Sequence, residues 1–373
     1  MSGVLEYEGC NYLRQRLILS TLSGKSVRIK KIRHKDENPG LHEFEGNLLR
    51  LLDTITNGTK MTISVTGTTL FYQPGILHGG KFEHECNNDR SIGYYLEVLL
   101  CLAPFCKTSL KATLKGITTD QWDPSVDYYK DIALPLMRQY GVVGDLEIKV
   151  KKRGSAPGGG GEVLFQCPVI KKLRTAQITD LGKVKRIRGV AYTTKTSPQF
   201  ANRLVTSARG VLNNFIPDIY IYTDVSKGPA KSPGFGICLH GETTTGKFLA
   251  AESCSVPRGD TDEEPSVPED VAVNAANSLL EEIYKGGCVD SNSQYLSLLF
   301  MALGEQDVQK VMFGPLTSYS IQFLRHIKDF FQVVFKLESK LTDEDVLDDK
   351  LEYTRVLLTC VGFGFFNLNK ATR

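Results

Sequence analysis

Apolar positions along this chain change spacing again and again, from every second residue to every third or fourth and back. The changes fall in a repeating order. Residues 4–7 carry the alternation of a short strand. Residues 12–22 carry a helical stripe closed by Gly24, and 26–32 form a second strand with Val27 and Ile29 set against Arg28 and Lys30. Helical spacing returns over 41–55 and ends at Gly58; strands 60–66 and 69–73 turn through Gly67 and stop at Pro74-Gly75. The order then restarts: strand 82–85, apolar helix 91–102 stopped by Pro104, and strand 110–114. Helix 124–140 follows, with Asp123 as the expected N-cap and Pro124 at its first position, then strands 146–151 and 162–167 around a glycine loop. Each copy reads β-α-β-α-β-β.

A third copy closes the chain: helix 292–303, strand 308–313, helix 319–331, and strands 333–338 and 353–360 around an acidic hairpin, 341–352. Residues 185–287 interrupt it with strands 187–192, 218–223, 235–240 and 247–253 and helices 198–214 and 270–284. Exposed loops are expected at 227–234 and, acidic, at 258–268. The pattern predicts an α/β (α+β) fold. A large domain of three repeats, 1–184 and 288–373, would share one core, with a small α/β domain inserted at 185–287.

Composition narrows the function. Over 373 residues, 41% hydrophobic and 23% charged content excludes a disordered chain and a fibrous rod. No apolar run reaches the roughly 18 residues of a spanning helix, so no membrane role is expected, and no secretory leader is visible. The nine cysteines form no CxxC pair, and most sit in apolar runs, such as Cys101, Cys167, Cys238 and Cys360. They read as reduced core thiols, with no metal site. Net charge is only +3, yet residues 149–188 hold eleven basic residues against Glu162 and Asp180, and 25–35 is a second basic stretch. Local basic fields favour polyanions, nucleic acid first.

The sharpest motif is Arg153-Gly154-Ser155-Ala156-Pro157-Gly158-Gly159-Gly160-Gly161-Glu162-Val163. Consecutive glycines cost backbone entropy and suit a main chain that approaches another group closely; their N–H groups can cradle an anion. No GK[ST] follows and no helix opens from the run, which excludes a Walker loop and a dinucleotide fingerprint.

This RG-x-x-P-x-GGG-x-V pattern resembles the signature of the RNA 3′-terminal phosphate cyclase family. Glu8-Gly9 with Leu13-Arg14, Pro39-Gly40-Leu41, and Leu70-Phe71-Tyr72-Gln73-Pro74-Gly75 with Gly79-Gly80 agree with it, as does the repeat order. Two departures set the chain apart from a working cyclase. The resemblance places the family's adenylylated histidine, a nucleophile through its neutral imidazole, at Tyr319, whose phenol has an ordinary pKa near ~10. His326 lies two helical turns further on. The family's glycine-glycine-glutamine run is replaced by Cys10-Asn11-Tyr12.

The resemblance is therefore to the eukaryotic non-cyclase branch. It implies a nucleolar protein acting in 18S pre-rRNA processing and small-subunit assembly. Its partners would be pre-rRNA, the small-subunit precursor particle and a ribosome-assembly GTPase, with the chain a monomer inside that heterocomplex. No cofactor is expected and no residue is assigned as catalytic. Arg14 and Arg153, with Gly159, Gly160 and Gly161, would form a residual anion or RNA pocket, because the arginine fork fits phosphate; an internal ion pair is the alternative for Arg14. Arg325 and Lys328, three apart on one helix face with His326 between them, would form a partner or RNA surface or simply a solvated face. The rival enzyme readings are an endoribonuclease using His326 and Lys328 and an active ATP-dependent cyclase with an unfamiliar nucleophile.

Overall fold

A computed structural model describes residues 3–226, 231–257, 266–340 and 354–368. The expected acidic hairpin at 341–352 lies outside the described residues, as do parts of the loops expected at 227–234 and 258–268.

Three four-stranded sheets share one strand order. The first runs Leu5–Glu8, Val27–Lys30, Leu70–Gln73, Lys60–Ile63, with the first pair parallel and the others antiparallel. The second repeats it with Gly80–Glu85, Leu110–Gly116, Gly161–Cys167 and Glu147–Lys152. The third uses Gln177–Ile178, Val308–Phe313, Arg355–Val361 and Lys336–Lys340. A parallel pair needs a crossover, and in the first two copies a helix supplies it. In the third, the first strand is a two-residue piece lying before the interruption, where no alternation could announce it.

Each sheet buries one face; strand Gly161–Cys167, for example, alternates strictly between buried and half-buried positions. The helices lie on the buried faces. Ile92–Leu102 and Gln294–Leu303 are buried at every position, as expected for helices apolar all round. Glu97 is the one charged residue within Ile92–Leu102, and a buried charge must find partners. The second helix of copy two begins at Val126, not at Pro124. Its cap is Ser125, whose hydroxyl accepts from the Tyr128 N–H, while Asp123 is buried and taken by arginines. A π-helical stretch, Tyr129–Ala133, precedes Leu134–Gln139, next to Pro135, which lacks an N–H.

The interrupting segment builds its own sheet, Ile219–Ser226, Val184–Thr194, Gly234–Thr243, Phe248–Cys254. Helices Gln199–Leu212 and Pro268–Lys285 cover one face and enclose a second apolar cluster including Ile187, Leu204, Ile237 and Leu279. Cys238 and Ala250, on the sheet's other side, join the large core. That junction is polar at its edges: the Ser125 N–H donates to Glu252 Oε1 at 2.7 Å and the Ala250 N–H to Asp290 Oδ2 at 2.8 Å. All nine cysteines are free.

Candidate functional site

The opening loop and the helix Ser318–Phe331 meet over the central helix Ile92–Leu102. Gly9 and Tyr12 adopt left-handed backbone conformations, and Tyr12 is the N-cap of helix Leu13–Ser23. Its ring lies 5.8 Å from that of Tyr319 and 6.4 Å, edge-on, from His326. Tyr319 stands in the first turn of its helix, capped by the Thr317 hydroxyl. Its phenol donates to Glu97, and its carbonyl accepts from Gln15 Nε2 at 2.9 Å. Burial, then the Glu97 charge, push the Tyr319 phenol well above its ordinary pKa, so it keeps its proton at neutral pH.

Arg14 completes the cluster. It reaches Glu97 at 2.9 Å and Asp123 at 3.0 Å and lies 4.3 Å over the Tyr94 ring. Asp123 also takes two bonds from Arg90, at 2.7 and 2.9 Å. Two guanidinium groups thus face two carboxylates, and a phosphate arriving at Arg14 would have to displace a buried partner.

Arg153 is engaged in the same way elsewhere. It binds Asp127 in a fork at 2.6 and 3.0 Å, gives its Nε to Asp224 at 2.6 Å, and lies 4.7 Å over the Tyr192 ring. Burial would raise Asp127, but the Arg153 charge and hydrogen bonds outweigh it and hold the carboxyl below its ordinary pKa. Arg14 and Arg153 therefore sit in two separate ion-pair clusters. The glycines satisfy close approach within the protein: a Cβ on Gly161 would fall 2.7 Å from the Gly116 carbonyl, and one on Gly159 2.6 Å from Asn88 Oδ1. Gly158 N–H donates to Ser232 Oγ at 2.8 Å and Gly159 N–H to the Ser155 carbonyl at 2.9 Å.

The group Arg325, His326, Lys328 divides. Arg325 and Lys328 are exposed, whereas His326 is only 1% exposed. Its Nδ1 is 2.9 Å from Gln15 Oε1, its Nε2 3.1 Å from Gln322 Nε2, and the Tyr7 ring meets it edge-on. Burial, with Arg16 nearby, pushes His326 down to about 4. It belongs to the packed side of the helix, not to a surface shared with Arg325 and Lys328. The basic run is also largely matched in space. Lys151 and Lys152 meet Glu162, Lys172 meets Glu305, Lys185 and Arg186 share Glu242, and Arg188 pairs with Asp218.

Sequence reasoning missed the main cleft. A cavity of ≈ 540 Å³ opens between the glycine loop, residues 117–122 and the inserted sheet, and a neighbouring one of ≈ 420 Å³ shares Thr119 to Trp122 and Cys254 with it. Trp122, 77% exposed, stands at the mouth. The charged lining residues are Asp89, Asp120, Asp123 and Glu252, with no lysine or arginine among them. Burial pushes Glu252 up to about 7. Its walls come from segments over a hundred positions apart, so no local motif marks it. Among the described residues, no cluster of His, Cys, Asp and Glu could hold a metal ion, and no helix is long and apolar enough to cross a membrane.

Comparison with known proteins fits this architecture. A profile described as RNA 3′-terminal phosphate cyclase matches residues 5–337. The chain belongs to that family. It is 58% identical over 372 residues to the human RNA 3′-terminal phosphate cyclase-like protein, covering 99% of this chain and 98% of that protein. A probable cyclase-like protein of Drosophila melanogaster is 50% identical over 371 residues, covering 98% and 97%. The rRNA processing protein rcl1 of Schizosaccharomyces pombe is 43% identical over 370 residues, again covering 98% and 97%. At the position where the resemblance places the nucleophile, Tyr319 is a protonated phenol that donates to Glu97, with the Tyr12 ring 5.8 Å away.

Proposed function

We propose that this cyclase-family protein works in pre-rRNA processing rather than in RNA 3′-phosphate cyclisation. In this reading it acts in 18S maturation within the nucleolus, as a monomer bound to a ribosome-assembly GTPase on the small-subunit precursor. The observation that carries it is the match along nearly the whole chain to a yeast protein named for rRNA processing, and the capped Tyr319 phenol supports the loss of the cyclase step. Residues 185–287 are read as a small domain inserted in a large one formed by 1–184 and 288–373. Depleting the protein from cells and following pre-rRNA by Northern blot tests the role; unchanged 18S maturation refutes it. Incubating the protein with α-labelled ATP, magnesium and a 3′-phosphorylated RNA tests the chemistry. No labelled protein and no cyclic ends are expected.

Arg325 and Lys328 are exposed on one face of their helix and are proposed as part of the GTPase-binding surface. Reversing both charges should weaken that complex while leaving the melting temperature unchanged, as measured by pull-down and thermal denaturation. Arg14, Arg153 and the glycine loop remain a proposed anion site only if phosphate displaces Asp123 or Asp224. The endoribonuclease reading loses ground, because a general acid or base must reach its substrate and His326 is enclosed.

A further inference from the structure

One face of the inserted sheet is left partly open beside the junction with the second repeat. On its edge strand Ile219–Ser226, Ile219 and Ile221 point into the helix-covered cluster, so Tyr220 and Tyr222 point the other way. They are 55% and 58% exposed, and their rings meet edge-to-face at 4.5 Å. That is a large apolar area to leave in water, and it lies outside any cavity or core already described.

Cations gather next to it. Arg188 lies beside Tyr220 in the sheet register, with His240 on its other side, and Arg186 follows two residues away on the same face. Lys130, exposed on the π-helical stretch of repeat two, stands across the junction. Burial pushes His240 down to about 4, with Arg188, Lys130 and Arg186 adding to the effect against Glu242, which places all three cations around one imidazole. The carboxylates on this side are each engaged: Asp218 at the exposed rim holds Arg188 at 2.8 Å, Glu242 is shared by Lys185 and Arg186, Asp224, two residues beyond Tyr222 on the same face, is held by Arg153, and Asp131, 3.7 Å from His240, lies with Asp127 in the field of Lys130. No ion pair of Lys130 occurs among the described residues.

We propose that Tyr220 and Tyr222, flanked by Arg188 and Lys130, form a stacking platform for single-stranded RNA. This rests on the pre-rRNA reading above and names where such RNA would lie. The two rings touch edge to face, so unpaired bases can stack on their outward ring faces while phosphates reach the cations. The acidic cleft beside Trp122 lacks any such partner for phosphate. A duplex keeps its base faces covered and cannot use the rings.

The test titrates the full-length protein into a labelled oligouridine of about 12 nucleotides and reads fluorescence anisotropy at two salt concentrations. Saturable, salt-sensitive binding is expected. Y220A/Y222A should weaken it by roughly tenfold per ring removed, and Y220F/Y222F should bind as the wild type does. K130E/R188E should weaken binding and flatten its salt dependence. Both tyrosines lie outside the core, so thermal melting of the alanine variant should not change; should it fail to fold, K130E/R188E decides. The platform is overturned by absence of saturable wild-type binding, by unaltered binding of Y220A/Y222A, or by an RNA duplex that competes as well as the single strand. Loss of GTPase capture in Y220A/Y222A with RNA binding intact would give the face to protein and also overturn it. If depletion blocks 18S maturation but oligouridine binding ignores the tyrosines, this inference alone fails. If depletion leaves maturation intact, the pre-rRNA reading fails whatever the oligouridine shows.

Discussion

Replacing Arg153 with Met keeps most of the aliphatic stem and removes the guanidinium that lies over Tyr192. Asp127 is then left alone: the two side chains are only 4% and 3% exposed, and Arg153 supplies the fork that holds the carboxylate. Breaking a buried pair by deleting one partner costs about 3–5 kcal/mol, because the remaining charge keeps its desolvation penalty. The pH dependence carries a sign. In the wild type Asp127 is held below its ordinary 3.8, so its contribution is present above that value and lost as pH falls through the lower folded value. In Arg153→Met the charge and hydrogen bonds of Arg153 are gone, and burial, opposed by the lesser effect of Lys130, raises Asp127. The folded state then binds the extra proton, and stability falls as pH rises, by up to ~1.4 kcal/mol per unit. The deficit should therefore be largest at neutral pH and shrink towards pH 5, as measured by urea denaturation followed by circular dichroism. Pairing Arg153→Met with Asp127→Leu should recover much of the loss. Asp224→Asn should cost under about 1 kcal/mol, since that side chain is 48% exposed. A deficit below about 1 kcal/mol in Arg153→Met, or one that ignores pH, would refute the reasoning.

Other outcomes follow from the same geometry. His326, folded near 4 against an unfolded 6.5, makes the wild type lose stability as pH falls through that window. Relative to wild type, His326→Gln should gain up to about 3 kcal/mol between pH 6.5 and 4 in denaturant titrations. Tyr319→Phe leaves buried Glu97 short of a donor and should cost about 1–3 kcal/mol; a melting curve superimposable on wild type would contradict it. Gly159→Ala should destabilise by at least about 1 kcal/mol, given φ +66° and a Cβ 2.6 Å from Asn88 Oδ1. Gly210→Ala, in the last turn of helix Gln199–Leu212 with nothing within 4 Å, should instead stabilise by up to about 1 kcal/mol.

The three sheets were legible because alternation and helical spacing each extend over enough residues to be read, as in Ile92–Leu102 and Ser318–Phe331. Gln177–Ile178 was not, since two residues carry no period. Asp123 precedes Pro124 and looks like a cap, but two arginines from outside its own helix claim it. His326 looked like a companion of Lys328 because spacing along a helix does not say which flank faces the core. The clustering of Arg14 with Glu97, and the matching of the basic run by distant carboxylates, depend on partners far away in sequence. Local charge counts overstate a field that the fold then largely neutralises.

The third sheet is split in the chain as well as closed in space. Ala176 and Gln309, bonded across its first pairing, are 133 positions apart. During synthesis, at roughly 5–20 residues per second, the strand at 177 waits on the order of ten seconds for its neighbour to be made. Until helix Gln294–Leu303 arrives, one side of the Ile92–Leu102 helix, which it covers in the finished protein, has no partner. The first two repeats can be complete while the molecule still shows an open apolar flank. That interval, rather than any property of the finished protein, is when a chaperone would have most to hold.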